Sequence, residues 1–221
     1  MPPTPKSFFL TDDINDYLLG HSAPVDDVQQ WLITETRSRL EPQSGMQISP
    51  EQGAFMTLLT RLLNVQQAVE VGTFTGYSSL SIARGLAPGG RLICCDISEE
   101  FTDIARQGWE RAGVASMIDL RIAPAVDTLR ALPTDASIDL AFIDADKTGY
   151  VAYYGELLPR LRPNGVILVD NTLWGGRITD PGHQDADTLA LREFNDMVAA
   201  DARVEATILT IGDGLTLIRK R

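Results

Sequence analysis

Histidine and cysteine are scarce in this chain of 221 residues, with two of each. The cysteines, Cys94 and Cys95, are adjacent, and adjacent residues of an extended run point to opposite faces. That argues against a structural disulfide or a thiolate zinc site, and for a reducing, cytoplasmic setting. The histidines, His21 and His183, stand far apart and are expected to face solvent. Positive charge is also short. Nineteen Lys and Arg stand against thirty Asp and Glu, a net charge of −11. Such a balance disfavours a nucleic-acid backbone or an anionic membrane as the main partner. No apolar run approaches the roughly 18 to 20 residues that span a bilayer. The start, MPPTPKSFFL, lacks the apolar core of a signal peptide. Internal repeats and low-complexity linkers are absent. Apolar residues are plentiful, at 44%, enough to build one domain with a real core.

Two textures follow one another along the chain. Residues 1–66 read as helices, a helical extension or lid ahead of a core at 67–221. DDVQQWLITETRSRLEP opens on acids, places Val28, Trp31, Leu32 and Thr36 at helical spacing and ends at a proline. SPEQGAFMTLLTRLLN offers Ser49 as N-cap, Pro50 at the first helical position and Gln52 three residues after the cap. The run Met46 to Gln52 is a candidate acceptor contact, though capping accounts for it equally well. From Ala68 onward, apolar runs alternate with helical ones: AVEVG, RLICCDI, MIDLRIA, IDLAFIDAD and GVILVDN. Continuous apolar strands separated by helices predict a parallel sheet covered on both faces. VEATILTIGDGLTLIRKR reads as an antiparallel hairpin turning at Gly212-Asp213-Gly214. The expectation is a doubly wound, Rossmann-like α/β sheet with that hairpin at its edge. The terminal RKR is expected to be a solvated strand end.

Ligands of such sheets bind beyond the carboxyl ends of the strands. Acids cluster there: Glu70, Asp96, Asp144 with Asp146, and Asp170. Four such strand ends on one rim repel one another unless something cationic sits among them. The turn V-G-T-F-T-G matches neither G-x-G-x-x-G nor the P-loop pattern. Glu70 beside it is ill suited to a pyrophosphate and well suited to a ligand with a positive end. Asp96 ends the next strand, where an acid accepts hydrogen bonds from ribose hydroxyls. A nucleoside with ribose, no phosphate and positive charge is S-adenosylmethionine.

A second constellation joins IDADK, Ile143 to Lys147, with Asp170-Asn171. Two carboxylates and an amide oxygen, with no histidine or cysteine, favour Mg²⁺, with Ca²⁺ or Mn²⁺ as alternatives, over zinc. Two adjacent hydroxyls of an aromatic ring would complete such a site, and Lys147 stands ready as general base. Tyr150, Tyr153 and Tyr154 fit the packed face of a helix better than a substrate box.

VEVGTFTGYSSLSIA, the acid of CCDIS, RAGV, FIDADKTGY, VDNTLWGG and IGDGLTLIRK together resemble the class I S-adenosylmethionine-dependent, metal-dependent O-methyltransferases. The type is that of the caffeoyl-CoA and catechol enzymes, in a bacterial-like form, and the likeness runs from about Met46 to the C-terminus. It implies a seven-stranded sheet with an antiparallel last strand and a homodimer. It assigns Glu70, Gly72, Thr73, Gly76, Ser78 and Ile97 to the cofactor, Asp96 to its ribose, and Ala125 to its adenine. Asp144, Asp170 and Asn171 match metal ligands. Asp144 and Asp146 also lie close to the cofactor, and Lys147 matches the base. Met46, Lys147 and Trp174 border a phenolic acceptor. There are two departures. Ile48 stands where plant caffeoyl-CoA enzymes carry a hydroxyl residue near the metal. The helix DTLALREFNDMVAA also lacks their acceptor-facing tyrosines. Both differences bear on a CoA-thioester acceptor and leave the methyl-transfer machinery intact. Three other readings are weighed against this one. A nicotinamide-dependent dehydrogenase fails on the glycine spacing. A non-catalytic cofactor-binding sensor or partner subunit is disfavoured by the complete ligand set and lysine. A nucleic-acid methyltransferase would carry an N/D-P-P-Y-type motif where FIDAD stands.

Overall fold

A computed structural model describes residues 10–221. Three helices come first: α1 (Asp12–Gly20), α2 (Asp27–Arg39) and α3 (Pro50–Leu62). Asp26 caps α2, accepting from the amides of Val28 and Gln29, while the Gln29 side chain accepts from the Asp26 amide. This reciprocal pairing satisfies amides that the first turn leaves without partners. Leu32 and Thr36 are buried, and Val28 and Trp31 pack partly against the core, as their spacing predicts. Ser49 takes the cap position of α3, but its hydroxyl turns to Glu51 and makes no cap bond.

The alternating region then follows: β1 (Gln67–Val71), α4 (Tyr77–Gly85), β2 (Arg91–Asp96), α5 (Glu99–Arg111), β3 (Ile118–Ile122), α6 (Ala125–Ala131), β4 (Ile138–Ile143), α7 (Tyr150–Arg160) and β5 (Leu161–Val169). The chain ends with α8 (Ala186–Ala200), β6 (Val204–Leu209) and β7 (Leu215–Lys220). The strands form one seven-stranded sheet in the order β3-β2-β1-β4-β5-β7-β6. β1 to β5 run parallel, while β7 is antiparallel to both β5 and β6. The hairpin is therefore not simply appended. Its second strand inserts beside β5, and β6 becomes the edge.

Strand alternation divides the core in two. Ala68, Leu92, Cys94, Leu140, Phe142 and Leu168 face α2 to α5. Val69, Val71, Ala141, Ile143, Ile167 and Val169 face α6 to α8. All six residues of β4 are buried, as expected of a strand covered on both sides. Cys94 and Cys95 are buried free thiols. Burial pushes both up, Cys95 to about 12. His21 and His183 are exposed, as expected. The terminal basic run is more engaged than a solvated end. Arg219 pairs with Glu205 across the hairpin at 2.8 Å, and Lys220 donates to the Leu161 carbonyl. No helix among the described residues is long and apolar enough to cross a membrane.

Candidate active site

A cleft of about 1170 Å³ opens over the carboxyl ends of β1, β2, β4 and β5. Gly72 and Gly76 shape its floor. An added Cβ on Gly72, at φ +89°, would lie 1.9 Å from the Asp144 carbonyl oxygen. One on Gly76, at φ +85°, would lie 2.6 Å from the Ala105 side chain. Both glycines are thus demanded by backbone conformation and by close approach of β4 and α5. Asp96 holds the turn from β2: Oδ2 accepts from the amides of Thr73 and Phe74, and Oδ1 from Ser98. A carboxylate has about four lone-pair sites, so Oδ1 keeps one for a ligand hydroxyl. Ile97 presents an apolar side chain to the cleft with 76% exposure.

The acid that sets the sequence puzzle, Glu70, behaves differently from the rest. Of the cofactor, metal and acceptor residues anticipated above, it alone does not line the cleft. Strand alternation turns it to the Cys94 side, where it is 0% exposed. Cys94 donates to Oε2, and Oε1 has no partner. Burial raises its carboxyl to about 8, so it is neutral at pH 7. Three strand-end acid groups, rather than four, remain on the rim.

The 3₁₀ turn Lys147–Gly149 follows β4, and the chain after β5 turns through Asn171 in the left-handed region, at φ +58°. Together they place Lys147 among oxygens. Its Nζ donates to Asp144 Oδ1 at 3.0 Å, Asn171 Oδ1 at 2.7 Å and Tyr150 Oη at 2.7 Å. Tyr150 in turn donates to the Asp170 carbonyl. Asp170 lies alongside and is 3% exposed; burial, then the charge of Asp144, raises it to about 7. Burial also raises Asp144, against the pull of Lys147. Asp144 and Asn171 already converge on an ammonium, and with Asp170 alongside the oxygen donors suit a hard cation.

Three non-glycine residues of the cleft wall, Phe74, Asn171 and Trp174, have positive φ. Strain of this kind concentrates where surrounding structure over-determines a site. Here the Gly212–Gly214 turn is the brace. Thr172 and Leu173 donate through their amides to the carbonyls of Gly214 and Asp213, and Gly175 donates to Asp213 Oδ1. This explains why IGDG travels with VDNTLW: one holds the other.

Met46 and Trp174 both border the cleft, as do Ala125, Ser78 and Asp146. Tyr150, Tyr153 and Tyr154 are buried as predicted, yet two of their hydroxyls reach the site. Tyr153 donates to Asp146 Oδ1 at 2.5 Å. Gln52 is the residue sequence reasoning misplaced. It does not close a capping box but donates through Nε2 to Asp170 Oδ2 at 2.8 Å. A polar residue on the buried face of α3 was the only signal available.

A Rossmann-like sheet with a reversed last strand, and a cleft ending in acids over the strand ends, is the architecture of the class I methyltransferase type. The sequence model described as O-methyltransferase matches residues 21–221. Probable caffeoyl-CoA O-methyltransferase 2 of Dictyostelium discoideum is 40% identical over 213 residues, covering 95% of this chain and 92% of that one. Catechol O-methyltransferase domain-containing protein 1 of Mus musculus is 37% identical over 183 residues, covering 81% and 70%. The crystal structure of the O-methyltransferase TomG from Streptomyces achromogenes, involved in tomaymycin synthesis and solved with SAM, superposes with a TM-score of 0.86 at 32% identity, covering 94% and 96%. This chain belongs to the S-adenosylmethionine-dependent O-methyltransferase family.

Proposed function

We propose that the protein transfers the methyl group of S-adenosylmethionine to one hydroxyl of a catechol-like, ortho-dihydroxy aromatic molecule, with a divalent metal, Mg²⁺ foremost, held by Asp144, Asp170 and Asn171. The observation that carries this reading is the convergence of Asp144 and Asn171 oxygens on one cationic atom beside the nucleoside cleft. Gly72, Thr73, Gly76, Ser78, Asp96, Ile97, Ala125 and Asp146 are the residues that would hold the methyl donor, with Glu70 supporting their turn from beneath. Glu70 is buried against Cys94 beneath that turn, and burial raises its carboxyl. Met46 and Trp174 flank the acceptor ring.

A divalent cation at the three oxygens supplies charge that acidifies and positions an acceptor hydroxyl. Lys147 Nζ, beside Asp144 and Asn171, would take the acceptor proton as its neutral amine, after giving one proton of the ammonium to solvent. The acceptor oxygen then forms a bond to the methyl carbon as the carbon–sulfur bond breaks, leaving S-adenosylhomocysteine. Opposite charges cancel in this displacement, so exclusion of water helps it. Gly45–Ser49 and Gln52 from the N-terminal part, and Trp174 and Asp187 from the loop after β5, border the cleft and are the groups we assign to its cover. Chain pairing fits an exposed strip on α3, where Leu58 and Leu62 lie one turn apart at 57% and 74% exposure.

The test is methyl transfer from labelled S-adenosylmethionine to ortho-diphenols and monophenols, with Mg²⁺ and with EDTA. Metal-dependent labelling confined to the ortho-diphenols is expected. Labelling that ignores EDTA overturns the metal assignment, and equal labelling of monophenols overturns the catechol assignment.

A further inference from the structure

The segment Gly45–Gln52 runs along the cleft as a strap from the 3₁₀ turn after α2 into the first turn of α3. It is tied down at two points. At one, Gln47 donates through Nε2 to the hydroxyls of Thr36 and Thr75 at 3.1 Å, so the strap grips the glycine turn. At the other, the Gln52 amide reaches Asp170 Oδ2. Gln52 is 2% exposed, deep for an amide side chain. An added Cβ on Gly212 would lie 2.6 Å from Gln52 Oε1, so that glycine leaves the room Gln52 occupies. Asp170 Oδ1 is engaged by the Asn171 amide at 2.7 Å. The carboxylate is therefore gripped at both oxygens, and only one grip comes from its own strand end.

We propose that Gln52 is a positioning residue: it orients the Asp170 carboxylate for the cation and thereby makes cation binding and closure of the Gly45–Gln52 strap one coupled event. The proposal rests on the metal reading above. The physical reason is that a carboxylate not held at its second oxygen is free to rotate about its χ2 angle. Hydrogen bonds from outside the ligand set fix ligand orientation, and their loss commonly weakens metal binding by about 10- to 100-fold. The converse follows from linkage. If the strap orients Asp170, a cation that selects that orientation must also favour the closed strap.

The experiment titrates Mn²⁺ into the full-length protein and follows free Mn²⁺ by electron paramagnetic resonance. Variants are Gln52→Ala, Gln52→Leu and, from the opposite side, Gly212→Ala. Affinity for S-adenosylhomocysteine, measured by calorimetry, reports an intact nucleoside cleft. Expected are Mn²⁺ affinities about tenfold or more weaker in all three variants, with the nucleoside affinity within twofold of wild type. Hydrogen exchange supplies the second readout. Mn²⁺ is expected to slow exchange of amides 47–53 in the wild type and not in Gln52→Ala. Wild-type binding with unchanged Mn²⁺ affinity in the Gln52 variants overturns the proposal alone. Parallel loss of Mn²⁺ and nucleoside binding overturns it in favour of a general packing role. No Mn²⁺ binding by the wild type overturns the metal reading and the proposal together.

Discussion

Lys147 concentrates the chemistry in one atom. Its Nζ lies within 3.0 Å of three oxygens, from Asp144, Tyr150 and Asn171, and its position is set by the 3₁₀ turn after β4. Lys147→Met keeps the stem and removes the proposed proton acceptor. It is expected to lower kcat by about 10²- to 10⁴-fold, with little change in the KM for S-adenosylmethionine, as steady-state kinetics will show. A fall in kcat under threefold counts against the base assignment. Glu70 offers a different prediction. Folding raises its carboxyl from an ordinary 4.5 to about 8. The native state keeps a proton that the unfolded chain releases above about 4.5. The stability this group contributes is complete below 4.5 and is lost as pH rises through 8. Urea unfolding of the metal-free protein is expected to show lower stability at pH 8.5 than at pH 5. Glu70→Gln is expected to reduce that difference, and an unaltered pH dependence in the variant refutes the assignment.

At the scale of elements, the site depends on close backbone approach between successive strand ends. Gly72 is the tightest instance, with the Asp144 carbonyl where a side chain would begin. Gly72→Ala forces both a positive φ on an L-residue and a shift of the loop that carries Asp144. Strain of this sort costs on the order of 1–3 kcal/mol, and the displaced loop should also weaken Mn²⁺ binding. Chemical denaturation together with a Mn²⁺ titration checks both. A stability within about 0.5 kcal/mol of wild type means that the turn relaxes without moving β4. The hairpin acts likewise through the backbone, since its Gly212–Gly214 turn supplies the carbonyls that hold Thr172 and Leu173.

On the scale of the whole molecule, ligands that bind only the folded cleft must stabilise the fold. S-adenosylhomocysteine at one hundred times its Kd adds about 2.7 kcal/mol. For a chain of this length roughly 2–4 °C accompanies each kcal/mol, so Tm is expected to rise by about 5–11 °C in scanning calorimetry. No shift at saturation removes the nucleoside reading of the cleft. The α3 strip makes a second global prediction. Leu62→Glu places a charge on the exposed apolar face and is expected to convert a dimer to a monomer in analytical ultracentrifugation. A wild type that already sediments as a monomer rules out pairing through this face.

Much of this was legible in the sequence because periodicity and punctuation are local. Five apolar runs became five parallel strands, GDG became the hairpin turn, and the acids after β2, β4 and β5 reached one rim because strand ends of a parallel sheet share a side. Side-chain direction was less legible. Glu70 and Asp96 looked alike as strand-end acids, yet Glu70 lies within the sheet, paired with Cys94 and buried, while Asp96, two residues beyond Cys94, ends β2 in the cleft. Long-range partners were not legible at all. Gln52 and Asp170 are 118 residues apart, and nothing in local pattern distinguishes a capping glutamine from one that grips a carboxylate. The insertion of β7 between β5 and β6 belongs to the same category, since the hairpin signal sets pairing within the hairpin and not its place in the sheet. Local pattern in the chain is enough to set which elements form and which functional groups they carry. Which groups face one another is set by packing between segments far apart in the chain, which local propensity does not encode.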